Sequence, residues 1–168
     1  MNVRKMTLSS LFAALMVVCA WVAIPTPAVA VTMQTFGILM ALGTLGGKWG
    51  AVSILLYLSM GVIGLPVFSG FQGGIAALLG PTGGFLWGFL AGGLVYWAME
   101  KTGKFLPMVL CQLTCYLCGT LWFSHWAGVT MTTAASTAVL PYLIPDGFKL
   151  WLAYLVSGRI HKYRRGGS

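Results

Sequence analysis

The chain has 168 residues, 58% of them apolar and 7% charged, with a mean hydropathy of +0.88. A soluble domain carries about a quarter charged residues, so this composition excludes one and points to a polytopic membrane protein, a single domain over residues 1–168. The net charge of +8 is spread in small clusters between apolar runs, which is how Lys and Arg orient membrane proteins, and this excludes a nucleic-acid surface.

Apolar runs broken by Pro and Gly predict six membrane-spanning helices: Met6–Ile24, Thr35–Gly46, Trp49–Ile63, Gly83–Met99, Phe105–Phe123 and Thr133–Gly158. The first follows Arg4 and Lys5 and runs up to Ala28-Val-Ala30, a pattern shared with cleaved signal peptides. Its length, and the lack of an exported soluble domain after it, favour a retained helix. The second and third spans are short for a hydrocarbon core about 30 Å thick and rich in glycine, so their ends are expected to be buried against protein. The last is interrupted by Pro141 and Pro145. Pro145 suits the first position of a new helix, which sets Asp146 in its first turn, where the helix dipole favours negative charge.

Charge orients the six spans. Arg4 and Lys5 precede the first, Lys48 divides the second and third, Glu100, Lys101 and Lys104 divide the fourth and fifth, and Arg159, Lys162, Arg164 and Arg165 follow the sixth. The connections near residues 25–34, 64–82 and 124–132 carry no Lys, Arg, Asp or Glu. The positive-inside rule is satisfied throughout with both termini cytoplasmic. The expected fold is therefore an all-α, six-helix transmembrane bundle.

Within that bundle one pair stands apart. Asp146 and Lys149 interrupt the apolar run Pro141–Val156, and Asp146 is one of only two acidic residues in the chain. A charge inside a bilayer costs about 2.5–3.5 kcal/mol on insertion scales, so an intramembrane ionisable pair marks a candidate site. At a spacing of three the two side chains share a helix face. Asp146 precedes Arg159 by 13 residues, about 20 Å of helix, which puts it in the outer third of the membrane.

The uncharged connections supply walls for such a site. The segment 64–85 combines many glycines with Pro66 and Pro81. Non-helical backbone at membrane depth is tolerated where it lines a cavity, so this segment is expected to form a re-entrant lid, with Gln72 its one amide side chain. The first connection, residues 25–35, brings Thr32 and Gln34 to the same cavity. Apolar walls with few polar groups suit a small molecule, here one with a carboxylate at one end and N–H donors elsewhere.

Signatures of chemistry are missing from this sequence. Gly43–Trp49 lacks the spacing of a phosphate-binding loop, His125 and His161 stand singly, and Cys111, Cys115 and Cys118 fall on one stripe of an apolar helix where a cluster site would need an irregular loop. The four cysteines, Cys19 included, are expected to be packing residues. An enzyme is not expected, and neither is a cofactor or a metal.

Five segments carry a resemblance: Val31–Thr35, Gly64-Leu-Pro-Val-Phe68, Gly73-Gly74, Leu79-Gly-Pro-Thr-Gly-Gly-Phe85 and Leu140-Pro-Tyr-Leu-Ile-Pro-Asp-Gly-Phe-Lys149. In order and spacing they resemble the BioY family, biotin-specific S-components of energy-coupling-factor (ECF) transporters. The resemblance implies a multi-pass bundle in the bacterial cytoplasmic membrane that captures biotin from outside. It further implies a pocket containing Asp146 and Lys149, with Gln72, Gly73, Phe85, Gln34 and Thr32 around them. Gln72 stands where the family usually has Asn or Ser, Phe85 where it has Tyr, and Ala30 where Pro is common. Implied partners are a transmembrane coupling protein, met by the small-residue face of Ser10 and Ala14, and two cytosolic ATPases. Three rival expectations stand beside it: an S-component for another vitamin, a small membrane oxidoreductase or acyl-transfer enzyme using the cysteines or Lys149, and a structural membrane subunit.

Overall fold

The computed structural model describes residues 3–24 and 30–166, with side chains as far as residue 160. Eight α-helices and one two-stranded hairpin follow in order among the described residues: α1 (Val3–Trp21), β1 (Ala23–Ile24), β2 (Val31–Thr32), α2 (Gln34–Leu45), α3 (Gly47–Val62), α4 (Ile75–Leu79), α5 (Gly83–Met99), α6 (Phe105–Ala127), α7 (Met131–Ala138) and α8 (Leu143–Gly166). The strands pair antiparallel, Ala23 opposite Thr32. Residues 25–29 of the first connection lie outside the described residues.

Helix α1 buries Ser9, Phe12, Ala13, Met16, Cys19 and Ala20 on one face, the three-to-four-residue spacing of an amphipathic helix. Leu11 and Val18 on its other side are exposed, as befits a surface facing lipid. Helix α2 is different, because every residue from Gly37 to Thr44 is buried. A helix apolar all round belongs in the interior, and α2 lies against α1, α3, α5 and α8. With 12 residues it is about 18 Å long at 1.5 Å per residue, too short for the full hydrocarbon core. Among the described residues, three stretches are long and apolar enough to cross a membrane: Val3–Trp21, Phe105–Ala127 and Met131–Ile160.

The turn between α2 and α3 explains the second acidic residue. Glu100, after α5, accepts the Gly47 backbone N–H at 2.7 Å, placing a carboxylate at the N-terminus of α3, where the dipole favours it. A Cβ at Gly47 would run into the Trp97 backbone, so only glycine allows the approach. The weak phosphate-loop echo in the sequence is thus a tight helix–helix turn.

Helices α5 and α6 form the closest seam. Gly84, Gly88 and Gly92 repeat every fourth residue along α5, and a Cβ on them would meet Trp122, the Cys115 backbone at 3.0 Å and the Cys111 carbonyl at 2.7 Å. Small residues at this spacing let membrane helices approach closely. Cys111 and Cys115 are free, buried thiols in this seam. Gly92→Ala is expected to destabilise the protein by about 1–3 kcal/mol through overpacking. Gly158→Ala, with open space at its Cβ position, is expected to be neutral or to stabilise by up to about 1 kcal/mol. Thermal unfolding in detergent separates the two.

The expected sixth span divides into α7 and α8, joined by a 3₁₀ turn over Leu140–Tyr142 with Pro141 near its start. Helix α8 begins at Leu143, two residues before the expected start, so Pro145 is its third residue. The first four N–H groups of a helix need no intrahelical partner, and Pro145 is therefore tolerated. Asp146 remains in the first turn.

Candidate ligand-binding site

The loop between α3 and α5 is firmly held. The Trp21 indole donates to the Pro66 carbonyl at 2.9 Å, the Tyr57 hydroxyl to the Val67 carbonyl at 3.2 Å, and the Trp122 indole to the Gly80 carbonyl at 2.9 Å. Trp122 thereby ties down the far end of this loop. Inside the loop, Gly74 N–H reaches the Gly61 carbonyl at 2.7 Å and Phe68 N–H the Gln72 carbonyl at 2.9 Å. The Gly74 φ of +83° is a conformation in which glycine carries no Cβ penalty. Val67 and Phe68 turn into the core, Phe68 edge-on to Tyr57 with ring centroids 5.5 Å apart.

Below this loop lies a cavity of about 680 Å³, within the range of small-molecule sites. Seven residues named from sequence line it together: Thr32, Gln34, Gln72, Gly73, Phe85, Asp146 and Lys149. Gln72 is exposed at the loop and Phe85 half-buried at the start of α5, its ring packed on Gly119 of α6. Ser10 and Ala14 are elsewhere, side by side on the exposed face of α1.

Asp146 and Lys149 form the polar floor. Both are 6% exposed, and the ammonium donates to Asp146 Oδ1 at 2.7 Å. Lys149 also donates to the Thr32 carbonyl at 2.6 Å, fastening β2 to α8. Thr32 Oγ1 then donates to Gln34 Oε1 at 3.0 Å, and the Gln34 amide donates to the Tyr57 hydroxyl. One chain of hydrogen bonds therefore runs from the ion pair through the first connection to the Val67 carbonyl of the α3–α5 loop. Buried networks of this kind fix geometry when every member is satisfied.

The sequence reading missed the other side of the carboxylate. Tyr116 donates its hydroxyl to Asp146 Oδ2 at 2.8 Å, Gln112 its amide at 3.2 Å, and Thr35 donates to Oδ1 at 3.3 Å. Gln112 and Tyr116 are four residues apart on α6 and so share a face. A buried amide in an apolar span, one turn before a tyrosine, was the available signal. Apolar contact comes from Phe68, Leu86, Phe89 and Tyr142. The site offers a compensated ion pair, several amides and hydroxyls, and aromatic walls, an arrangement suited to holding a small molecule with both polar ends and apolar body.

A family model described as the BioY family matches residues 1–166. A protein of Pyrococcus horikoshii named "Probable biotin transporter BioY" is 34% identical over 95% of this chain and 98% of its own. The "Biotin transporter BioY" of Thermotoga maritima is 34% identical over 95% of this chain and 96% of its own. Among solved structures, an S-component for biotin from an ECF-type ABC transporter superposes with a TM-score of 0.88 at 26% identity, covering 96% of this chain and 92% of that one. With a family match over almost its full length, relatives matched over nearly all of both chains and a shared fold, the chain belongs to the BioY family.

Proposed function

We propose that the protein captures biotin at the outer side of the cytoplasmic membrane, as the substrate-binding S-component of an ECF-type transporter. The observation that carries this reading is the buried Asp146–Lys149 pair on the floor of a cavity roofed by an anchored loop, in a chain whose relatives are named biotin transporters. Biotin combines an anionic carboxylate, a ureido group with two N–H donors and a carbonyl acceptor, and an apolar body. Lys149 attracts an oxygen of the ligand, while Gln72, Gln34 and Thr32 supply further donors and acceptors. Gly73 lets the loop backbone approach, and Phe68, Phe85 and Phe89 cover the apolar part. The work is binding and release, so the protein is a transport subunit and not an enzyme, with biotin as cargo and no cofactor.

The topology goes with that role. Six spans with both termini in the cytoplasm put every uncharged connection, and hence the cavity mouth, outside. The shorter helices α2, α3 and α5 complete the six spans by lying partly inside protein. Transport requires a transmembrane coupling protein and two cytosolic ATPases, and the exposed Ser10–Ala14 face of α1 suits close helix packing against the first.

Uptake of labelled biotin by membrane vesicles containing the protein and its transporter tests the assignment. Unlabelled biotin should compete, and thiamine, riboflavin and pantothenate at hundredfold excess should not. Competition by one of those vitamins in place of biotin would reassign the substrate, and uptake unchanged on removing the protein would end the transport reading.

A further inference from the structure

Asp146 accepts hydrogen bonds on all sides. Lys149 and Thr35 occupy Oδ1, while Tyr116 and Gln112 occupy Oδ2. An ionised carboxylate has about four lone-pair sites, so the protein itself fills them. Two of the four donors come from α6, which otherwise touches α8 only sparingly while α2 packs along it closely. Tyr116 and Gln112 therefore link these two walls of the cavity through the carboxylate. An ammonium has three N–H donors; Lys149 uses one on Asp146 and one on the Thr32 carbonyl. Its third has no partner among the described residues, and Lys149 lines the cavity.

We infer that Tyr116 and Gln112 are positioning residues of the binding site. They orient the Asp146 carboxylate so that it neutralises Lys149 from one side and leaves the remaining N–H of the ammonium to a ligand oxygen. This inference rests on the ligand-binding reading above and adds two residues to it. Freed of its α6 donors, the carboxylate turns toward the cavity, takes the ammonium with it, and removes the donor from the ligand. Both side chains thus act through Asp146, and Tyr116→Phe, which deletes one oxygen, should disturb binding although the ring still fills its place.

The test exploits a feature of the composition: Asp146 is the sole aspartate in the chain. Protein made by cell-free synthesis with ¹³C-aspartate carries one labelled carboxylate, whose infrared stretching band reports its hydrogen bonding without any ligand. In Tyr116→Phe and in Gln112→Met the band should shift, and biotin affinity should fall by roughly tenfold or more, the loss expected for a hydrogen bond to a charged group. A change of packing alone would leave the band in place. A folded Tyr116→Phe or Gln112→Met protein with unchanged band overturns the inference, as does a shifted band with unchanged affinity. Wild-type protein that binds no biotin but whose band still shifts in both variants would defeat the biotin assignment while leaving the positioning of the pair supported.

Discussion

Replacing Asp146 by Ala should be the most damaging single change in the protein, and replacing Lys149 by Met at the same time should repair much of the stability but none of the binding. Both groups are buried, 2.7 Å apart. Removing one partner of a buried ion pair leaves an uncompensated charge and costs about 3–5 kcal/mol, whereas exchanging both for apolar groups is often close to neutral. In Asp146→Ala the stranded ammonium keeps only the Thr32 carbonyl, and Tyr116 and Gln112 lose their acceptor as well. The double variant removes both charges but still leaves those α6 donors without the carboxylate, so recovery should be partial. Asp146→Asn is the milder probe, keeping shape and one acceptor oxygen; it removes the charge that holds the Lys149 ammonium in place, and biotin should bind at least about 1.5 kcal/mol more weakly, the lower end for a lost hydrogen bond to a charged group, here that of Lys149 to the ligand. Thermal unfolding in detergent and biotin titration of the wild type and these three variants measure the two effects separately. Equal stability of Asp146→Ala and the double variant would mean that the pair does not act as a unit.

Gly73→Ala is expected to have the second largest effect, and it should act on the loop over the cavity. A Cβ at Gly73 would fall on the Leu65 carbonyl oxygen and within 3.0 Å of the Gly64 carbonyl. These neighbours are backbone and cannot swing away as a side chain would. Accommodating the methyl group therefore means moving the segment that carries Gln72 and makes the Gly74–Gly61 hydrogen bond. Overpacking of this kind costs about 1–3 kcal/mol, and a displaced roof should weaken biotin binding by about tenfold, roughly 1.4 kcal/mol. Gly70 provides the contrast. Its φ is +68° but its Cβ position is open, so Ala there meets only the left-handed backbone penalty of about 1–2 kcal/mol. Biotin titration of both variants distinguishes a steric roof from a merely flexible one. The same affinity in Gly73→Ala as in wild type would show that this loop does not shape the site.

Much of this was legible in the sequence, and for identifiable reasons. The cost of charge in an apolar run singled out Asp146 and Lys149. Gly and Pro marked the loop, and apolar run length set the ends of α2, α3 and α5 to within two residues. Periodicity did not reveal α4, because five residues of helix complete little more than one turn. Helix α8 starts two residues earlier than Pro145 suggests, because Pro is acceptable anywhere in the first turn, not only at its first position. Long-range partners were the harder part. Glu100 caps Gly47 across 53 residues, and Gln112 reaches Asp146 across 34. Spacing along one helix places a side chain on a face but leaves open which helix lies opposite. Tyr116 illustrates this most clearly, since a lone tyrosine in an apolar helix reads as packing until the carboxylate facing it is known.

The cavity floored by Asp146 and Lys149 is proposed here to hold biotin. Calorimetric titration of biotin into the purified, detergent-solubilised wild-type chain, with Asp146→Asn measured beside it, decides whether it does. Saturable binding at one site per chain, weakened at least about tenfold in the variant, is the predicted result. A folded wild-type sample that takes up no biotin, or a variant that binds it as tightly as wild type, would contradict the account.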